Sequence, residues 1–257
     1  MFFPADRPLL SAQGISKQFG GFQALDQVQI TVAPHSITGV IGPNGAGKTT
    51  FFNILSGFVA ADRGTIVFEE RAIQHLPPHQ RVQQGLTRTF QLTRTLARLS
   101  VLDNLLVAAP AGLGEHLWQV FWCRAQMRQQ QRQFKTQALE ILEAIGLADK
   151  AHTPAGSLSG GQRKLLELGR ALMTQPRLIL LDEPAAGVNP ALIDQICQHI
   201  LHWHQQGITF LIIEHNMDVM MSLCQEIWVL AEGRNLVQGT PTAVQRHPQV
   251  LEAYLGA

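Results

Sequence analysis

Three cysteines in 257 residues, Cys123, Cys197 and Cys224, are few and far apart. None stands in a CxxC pair, which argues against a disulfide framework and a zinc site, and the odd count fits a reducing compartment. Charge is also scarce. Charged residues make up 15% of the chain, where about a quarter is usual, a composition compatible with a surface covered by a partner. The formal net charge of +1 lacks the basic excess of a nucleic-acid footprint. The N-terminal "MFFPADRPLL" has no basic start and no unbroken apolar stretch, so no secretory signal is expected. No run approaches the ~20 apolar residues of a bilayer span. The longest, "LILLD" and "ITFLIIE", have strand length. The chain is not expected to cross a membrane by itself, and docking on one stays open.

What is present alternates. "LLSAQGISKQFGG", "FQALDQVQITV" and "SITGVIG" read as strands, with Val28, Ile30 and Val32 marking a half-exposed antiparallel one. "ITGVI" is wholly apolar, as a buried parallel strand is. Phe51, Phe52, Ile54 and Leu55 fall on a helix in "KTTFFNILSGF", and "GTIVFEERAI" returns to strand and hairpin. From about Thr87 to Ala171 the pattern is mainly helical. It includes a long helix closed by Gly146, with Ala138, Leu139, Leu142 and Ile145 facing inward. Then follow "RLILLDEP" (strand), "PALIDQICQHILHWHQQG" (helix), "ITFLIIEH" (strand), "MDVMMSLC" (helix), "EIWVLAEGRNLVQG" (hairpin) and a terminal helix. Such alternation predicts an α/β fold with a mostly parallel sheet, interrupted by a helical insertion.

"GPNGAGKT" (Gly42, Pro43, Asn44, Gly45, Ala46, Gly47, Lys48, Thr49), followed by Thr50, satisfies G-x-x-x-x-G-K-[ST] between a predicted strand and a predicted helix. Glycines let successive backbone N–H groups converge on phosphate oxygens, and the helix dipole adds positive potential there. Lys48 is expected to reach the β- and γ-phosphates and Thr49 to ligate Mg²⁺. Asp182 and Glu183 end an apolar strand, where ligands collect in open α/β sheets. Asp182 suits Mg²⁺ and Glu183 suits the attacking water.

A second helix also opens on glycine, in "GSLSGGQRKLLELGRAL". Ser159 and Gln162 have capping-box spacing, with Leu165, Leu168 and Leu172 continuing an apolar face. A well-capped helix start explains that much. Glycine is a costly choice in a first turn, however, and exposed N–H groups at a helix start form an anion site. No lysine follows at phosphate-loop spacing, so this is half of a nucleotide site.

Phosphate loop, "LSGGQ", "LLDEP" and "IIEH", in this order over nearly the whole chain, resemble the ATP-binding subunit of ATP-binding-cassette (ABC) transporters. The resemblance implies a single ATP-binding domain over 1–257. Within it lie an N-terminal antiparallel β subdomain, an inserted helical subdomain over about 87–171 and a C-terminal helical tail over 240–257. It implies that two subunits pack head to tail, with Ser159, Gly160, Gly161 and Gln162 of each closing over the γ-phosphate held by the other. ATP then acts as glue between subunits, which hydrolysis weakens. It further makes Gln91 the Q-loop glutamine near Mg²⁺ and the membrane subunits, and His215 the γ-phosphate switch histidine. Phe19 takes the adenine-stacking position, where plain core is the alternative. Gly187, Val188 and Asn189 form the D-loop, with Asn where many relatives carry Asp. An Asn there can still hydrogen-bond across a dimer interface.

"GLTRTFQ", "LDEPAAGVNP", "IIEHNMDVMMSLC" and the tail "GTPTAVQRHPQVLEAYLGA" look like the branched-chain (hydrophobic) amino-acid uptake group. Many relatives there carry a changed signature loop, whereas this chain keeps "LSGGQ". Lipopolysaccharide export and urea or short-amide uptake systems are similar neighbours. The resemblance implies ATP and Mg²⁺, a second cassette (copy or paralogue), transmembrane permease subunits, a solute-binding protein and the cytoplasmic face of the inner membrane. A cassette acting on nucleic acid would need tandem cassettes, coiled-coil inserts or basic extensions, and none is visible. A degenerate, non-hydrolysing module is disfavoured by Lys48, Asp182, Glu183 and His215 together. Trp118, Phe121 and Trp122, with Arg124, Arg128, Arg132 and Lys135 following, read as helical-subdomain packing with a solvated face, or as a helix at the membrane surface or beside a membrane subunit.

Overall fold

The structure is a computed structural model that describes residues 7–89, 95–110 and 124–255. Two compact units emerge: Met1–Arg88 together with Arg177–Ala257, and Thr89–Pro176.

In the first unit, β1 (Leu10–Phe19), β2 (Phe22–Val32) and β3 (Ile37–Ile41) lead into α1 (Lys48–Leu55). Next come β4 (Arg63–Phe68), β5 (Arg71–Ala72), α2 (Pro78–Gln83) and β6 (Leu86–Arg88). An antiparallel sheet has the order β2-β1-β4-β5. Its strand β2 buries Val28, Ile30 and Val32 in alternation, as the sequence pattern anticipated. After the second unit the chain adds β7 (Leu178–Asp182) and β8 (Thr209–Ile213), then the hairpin of β9 (Glu226–Ala231) and β10 (Arg234–Gly239). The six-stranded sheet has the order β10-β9-β3-β8-β7-β6 and is parallel except for that hairpin. Strands β3, β7 and β8 are buried at every position and are apolar except at Thr38, Asp182 and Thr209, as parallel strands covered on both faces are expected to be for most of their length. β6 escaped the sequence reading: three residues are too short for periodicity to register, and only pairing with β7 defines them.

Phe51, Phe52, Ile54 and Leu55 of α1 join residues of both sheets in one core. That explains a helix apolar around most of its circumference. Its last carbonyls need donors, and the buried Arg81 on α2 supplies them, giving bonds to Ile54 O and Leu55 O, each at 2.7 Å. Burial draws the Arg81 pKa down to about 10.

In the second unit, α3 (Val101–Leu106), α4 (Arg124–Ala144) and α5 (Gly160–Met173) pack closely. A Cβ on Gly169 would sit 3.1 Å from atoms of Ile141 and Ile145 and 3.2 Å from Leu105. Ala138, Leu142 and Ile145 are buried as expected, but Leu139 is 40% exposed. It lies one residue, about 100°, around the helix from Ala138, at the edge of the apolar stripe. The fully buried Asn104 braces the preceding loop: its Oδ1 accepts from Leu96 N (2.9 Å) and its Nδ2 donates to Ser100 O (2.9 Å). Gln91, Trp118, Phe121 and Trp122 lie outside the described residues.

Back in the first unit, α6 (Pro190–Gln205) follows β7 and α7 (Met217–Leu223) follows β8. The expected single terminal helix is two, α8 (Pro241–Gln245) and α9 (Pro248–Leu255). Pro248 lacks the N–H that would continue the first helix into the second.

Candidate nucleotide site

The loop between β3 and α1 can be built only from glycine at its two ends. A Cβ on Gly42 would collide with the carbonyl oxygen of Leu230 in β9. Gly47, at φ +93°, has no space for a Cβ either, which would sit 2.6 Å from Leu25 Cδ2 and 2.7 Å from Ala24 O. A left-handed residue pressed against β2 leaves the first turn of α1 with no side-chain cap. Its free N–H groups and dipole make an anion site. Asn44 and Gly45 are exposed, Pro43 is half-buried and Ala46 is buried. Thr49 is exposed and Thr50 half-buried at the helix start. Lys48 folds back over the loop, its Nζ donating to Gly42 O (2.7 Å) and Pro43 O (2.9 Å). Desolvation lowers the Lys48 pKa, and the Glu183 and Asp182 carboxylates pull it back up. The ammonium is therefore within electrostatic reach of both carboxylates.

Asp182, the last residue of β7, is 3% exposed. Its Oδ2 accepts from Arg88 Nη2 at 2.7 Å, while its buried Oδ1 has no partner among the described residues. Arg88 also donates to Asn53 Oδ1 (2.7 Å) and Ser56 Oγ (3.1 Å), tying β6 and β7 to α1. A buried carboxylate oxygen left without a donor is costly, and a metal ion or its bound water is the group that would satisfy it.

Glu183 follows with φ +49°, a conformation rare for a side chain larger than glycine. Its N–H donates to Ile213 O at 2.9 Å, holding it to the end of β8. His215 Nε2 and Glu183 Oε1 are 2.9 Å apart, a hydrogen bond when Nε2 carries the proton. Directly before His215 stands Glu214, 3% exposed, which accepts from the N–H groups of Ala185 (2.6 Å), His215 (2.9 Å) and Asn216 (3.2 Å).

Lys48, Asp182, Glu183 and His215 thus come together at the carboxyl ends of β3, β7 and β8 in the first unit. Phe19 is not core: it is 47% exposed, with Lys17 Nζ 5.3 Å from its ring centroid. It pairs with the exposed Phe22 at the tip of the β1–β2 hairpin, whose strand β2 also supports Gly47. The Asn189 side-chain oxygen is spent locally, accepting from Leu192 N (2.9 Å) as the cap of α6. Gly187 sits at φ +70° before it.

In the second unit the capping box forms in full. Ser159 Oγ accepts from Gln162 N (3.2 Å) and Gln162 Oε1 from Ser159 N (3.0 Å). Gly160 is exposed, with nothing within 4 Å of the place a methyl group would take and no left-handed φ. Neither packing nor backbone geometry demands glycine there. Gln91 lies outside the described residues. Sequence reasoning missed Arg88, Arg81 and Glu214. Arg88 stands in "LTRTF", the stretch directly before Gln91, and Glu214 within "IIEH", so motif membership was the available signal.

A parallel sheet carrying a glycine phosphate loop, an acidic strand end and a helical insertion defines a nucleotide-hydrolysing cassette. Residues 25–186 match the family model described as ABC transporter, and residues 234–257 match that of the branched-chain amino acid ATP-binding cassette transporter. The chain belongs to the ABC transporter family and is an ATP-binding, ATP-hydrolysing subunit. It is 41% identical, over 97% of its length and 96% of the relative's, to the "probable branched-chain amino acid transport ATP-binding protein LivG" of Archaeoglobus fulgidus. It is 38% identical, over 97% of its length and 98% of the relative's, to the high-affinity branched-chain amino acid transport ATP-binding protein LivG of Escherichia coli. A solved nucleotide-free ATP-binding cassette from an ABC transporter superposes with a TM-score of 0.85 at 38% identity, covering 98% of this chain and 100% of that one.

Proposed function

We propose that this chain energises the import of branched-chain or other hydrophobic amino acids from the cytoplasmic face of the inner membrane. There it would join transmembrane permease subunits, fed by a solute-binding protein, and a second cassette, either a copy of itself or a paralogue. The observation that carries the chemistry is the convergence of Lys48, Asp182, Glu183 and His215 on one uncapped helix start. The match of the tail to the branched-chain model and the names of the relatives support the solute class. Among the described residues no helix is long and apolar enough to cross a membrane, so the transport path would belong to other chains.

The loop amides from Gly42 to Thr50 receive the phosphates, and Lys48 moves from its carbonyl partners to the β- and γ-phosphates. Phe19 offers an exposed ring to the adenine. Thr49, Asp182 and Gln91 would hold Mg²⁺. A single carboxylate ligand suits this ion, which keeps waters and phosphate oxygens in its shell. When bound, Mg²⁺ supplies charge neutralisation at the phosphates. Glu183 accepts a proton from the attacking water, whose oxygen bonds to the γ-phosphorus as the bond to the ADP oxygen breaks. His215 donates to a γ-phosphate oxygen. Ser159, Gly160, Gly161 and Gln162 of the second cassette close the opposite side, and Gly187, Val188 and Asn189 line the junction.

Replacing Glu183 by Gln tests the scheme. ATP binding is retained, turnover falls at least ~100-fold, and an ATP-bound dimer accumulates on size-exclusion chromatography. Rapid hydrolysis by that variant would remove Glu183 from its role. Leucine uptake by vesicles reconstituted with the co-purifying membrane subunits tests the solute class, and uptake confined to urea or amides would overturn it.

A further inference from the structure

Two loops carry the groups that must meet at the γ-phosphate: one leaves β7 with Glu183, the other leaves β8 with His215. Neighbouring parallel strands fix where such loops start but not how they run afterwards. Glu214 joins them. One carboxylate oxygen takes Ala185 N–H from the first loop at 2.6 Å, and the other takes His215 and Asn216 N–H from the second at 2.9 and 3.2 Å.

The residue type is otherwise difficult to explain. Glu214 directly follows a strand buried at every position and is itself 3% exposed. An apolar side chain would fill that space without the cost of desolvating a charge. A carboxylate becomes acceptable only because three N–H groups converge on it. Those groups belong to the segments flanking Glu183 and His215, whose side chains meet at 2.9 Å.

We propose that Glu214 is a positioning residue, which holds the Glu183 loop and the His215 loop in register for attack on the γ-phosphate. This rests on the roles given above to Glu183 and His215. A glutamine at 214 keeps one acceptor oxygen and turns an NH₂ group toward N–H donors. One arm of the clamp is then lost while the side-chain shape is preserved. Misplacement of a reacting group by about 1 Å costs up to ~100-fold in rate.

The test uses Glu214→Gln, His215→Ala and the double variant, each as the full chain in its reconstituted transport complex. Glu214→Gln is expected to lower kcat roughly 30-fold with KM for ATP within about threefold, the signature of lost transition-state alignment. The double variant is expected to turn over within about threefold of His215→Ala, because both changes disable one unit. Wild-type kcat in Glu214→Gln, or losses that multiply in the double variant, would overturn the proposal. Wild-type turnover in His215→Ala would instead sink the histidine assignment, and this inference with it. Amide hydrogen exchange on the unmodified protein needs no variant to fold. Ala185, His215 and Asn216 are expected to be protected, and exchange at unprotected rates would refute the clamp.

Discussion

Helix α1 starts from Gly47 at φ +93° with no side-chain cap, and folds Lys48 back onto the carbonyls of Gly42 and Pro43. Helix α5 starts from Ser159 in the extended region, with a reciprocal cap between Ser159 and Gln162. Both open on glycine, yet the glycines serve different ends. Gly42 and Gly47 are demanded by the chain's own packing, whereas the surroundings of Gly160 are empty. The first start keeps its N–H groups for a ligand and folds a cation over the loop. The second has satisfied two N–H groups internally, those of Ser159 and Gln162, and offers a small, open surface. Its next cation along the chain, Arg163, donates back to Leu158 O at 2.7 Å. In the proposed pairing of two cassettes, a triphosphate is held mainly by the first start of one chain and covered by the second start of the other.

The largest break in that comparison comes from Lys48→Ala. Truncating a buried charge that meets phosphate oxygens is expected to weaken ATP binding roughly 100-fold, about 3 kcal/mol, as read by titration of the purified chain. Unchanged affinity would mean that the α1 start is no better an anion site than the α5 start.

Next is a matched pair, Gly47→Ala and Gly160→Ala. At position 47 the methyl meets Leu25 and the Ala24 carbonyl at a left-handed φ, and a loss of about 2–3 kcal/mol in unfolding free energy is expected. At position 160 the methyl meets nothing, and stability should change by less than about 0.5 kcal/mol. Urea unfolding measures both. Equal losses would erase the distinction between packing-imposed and ligand-reserved glycine.

How visible this contrast was in the amino-acid string depends on the range of each interaction. The phosphate loop, the acidic strand end and the capping box are local patterns, in which spacing alone places Lys48, Asp182, Ser159 and Gln162. The alternation of strands and helices likewise exposed the parallel sheet. Arg88 was invisible because its partners Asn53, Ser56 and Asp182 are 35, 32 and 94 residues away. Arg81 caps a helix 26 and 27 residues earlier. Glu214 was hidden differently: it stood inside a recognisable motif, but its Ala185 partner is 29 residues distant. Leu139 shows the converse limit. Hydrophobicity placed it inward, while position on the helix left it at the edge.

A smaller effect separates the two roles of the second start. Ser159→Ala removes the acceptor for Gln162 N and should cost about 1 kcal/mol in stability, with ATP affinity of the single chain unchanged. Weakened binding to the isolated chain would show that the signature serine acts on its own chain's nucleotide rather than a neighbour's.

The last contrast between the two starts is in pH dependence. The capping box contains no titratable group, so any alkaline loss of ATP affinity must come from the first start or from elsewhere. Desolvation sets the Lys48 pKa below the ordinary lysine value of 10.5. In the window between the lowered value and 10.5 the folded apo protein binds fewer protons at this site than the unfolded chain. The Lys48 contribution to apo stability therefore rises with pH there. ATP binding changes in the opposite direction, because the phosphates need the protonated amine. Affinity should fall by at most about tenfold per pH unit, the limit for one linked proton. Titrations from about pH 7 to about pH 9 on the wild type and Lys48→Arg decide the matter, since guanidinium keeps its charge across that range. A flat arginine curve beside a falling lysine curve assigns the alkaline limb to Lys48. Superimposable curves would place it in another group and leave the two helix starts alike in their indifference to pH.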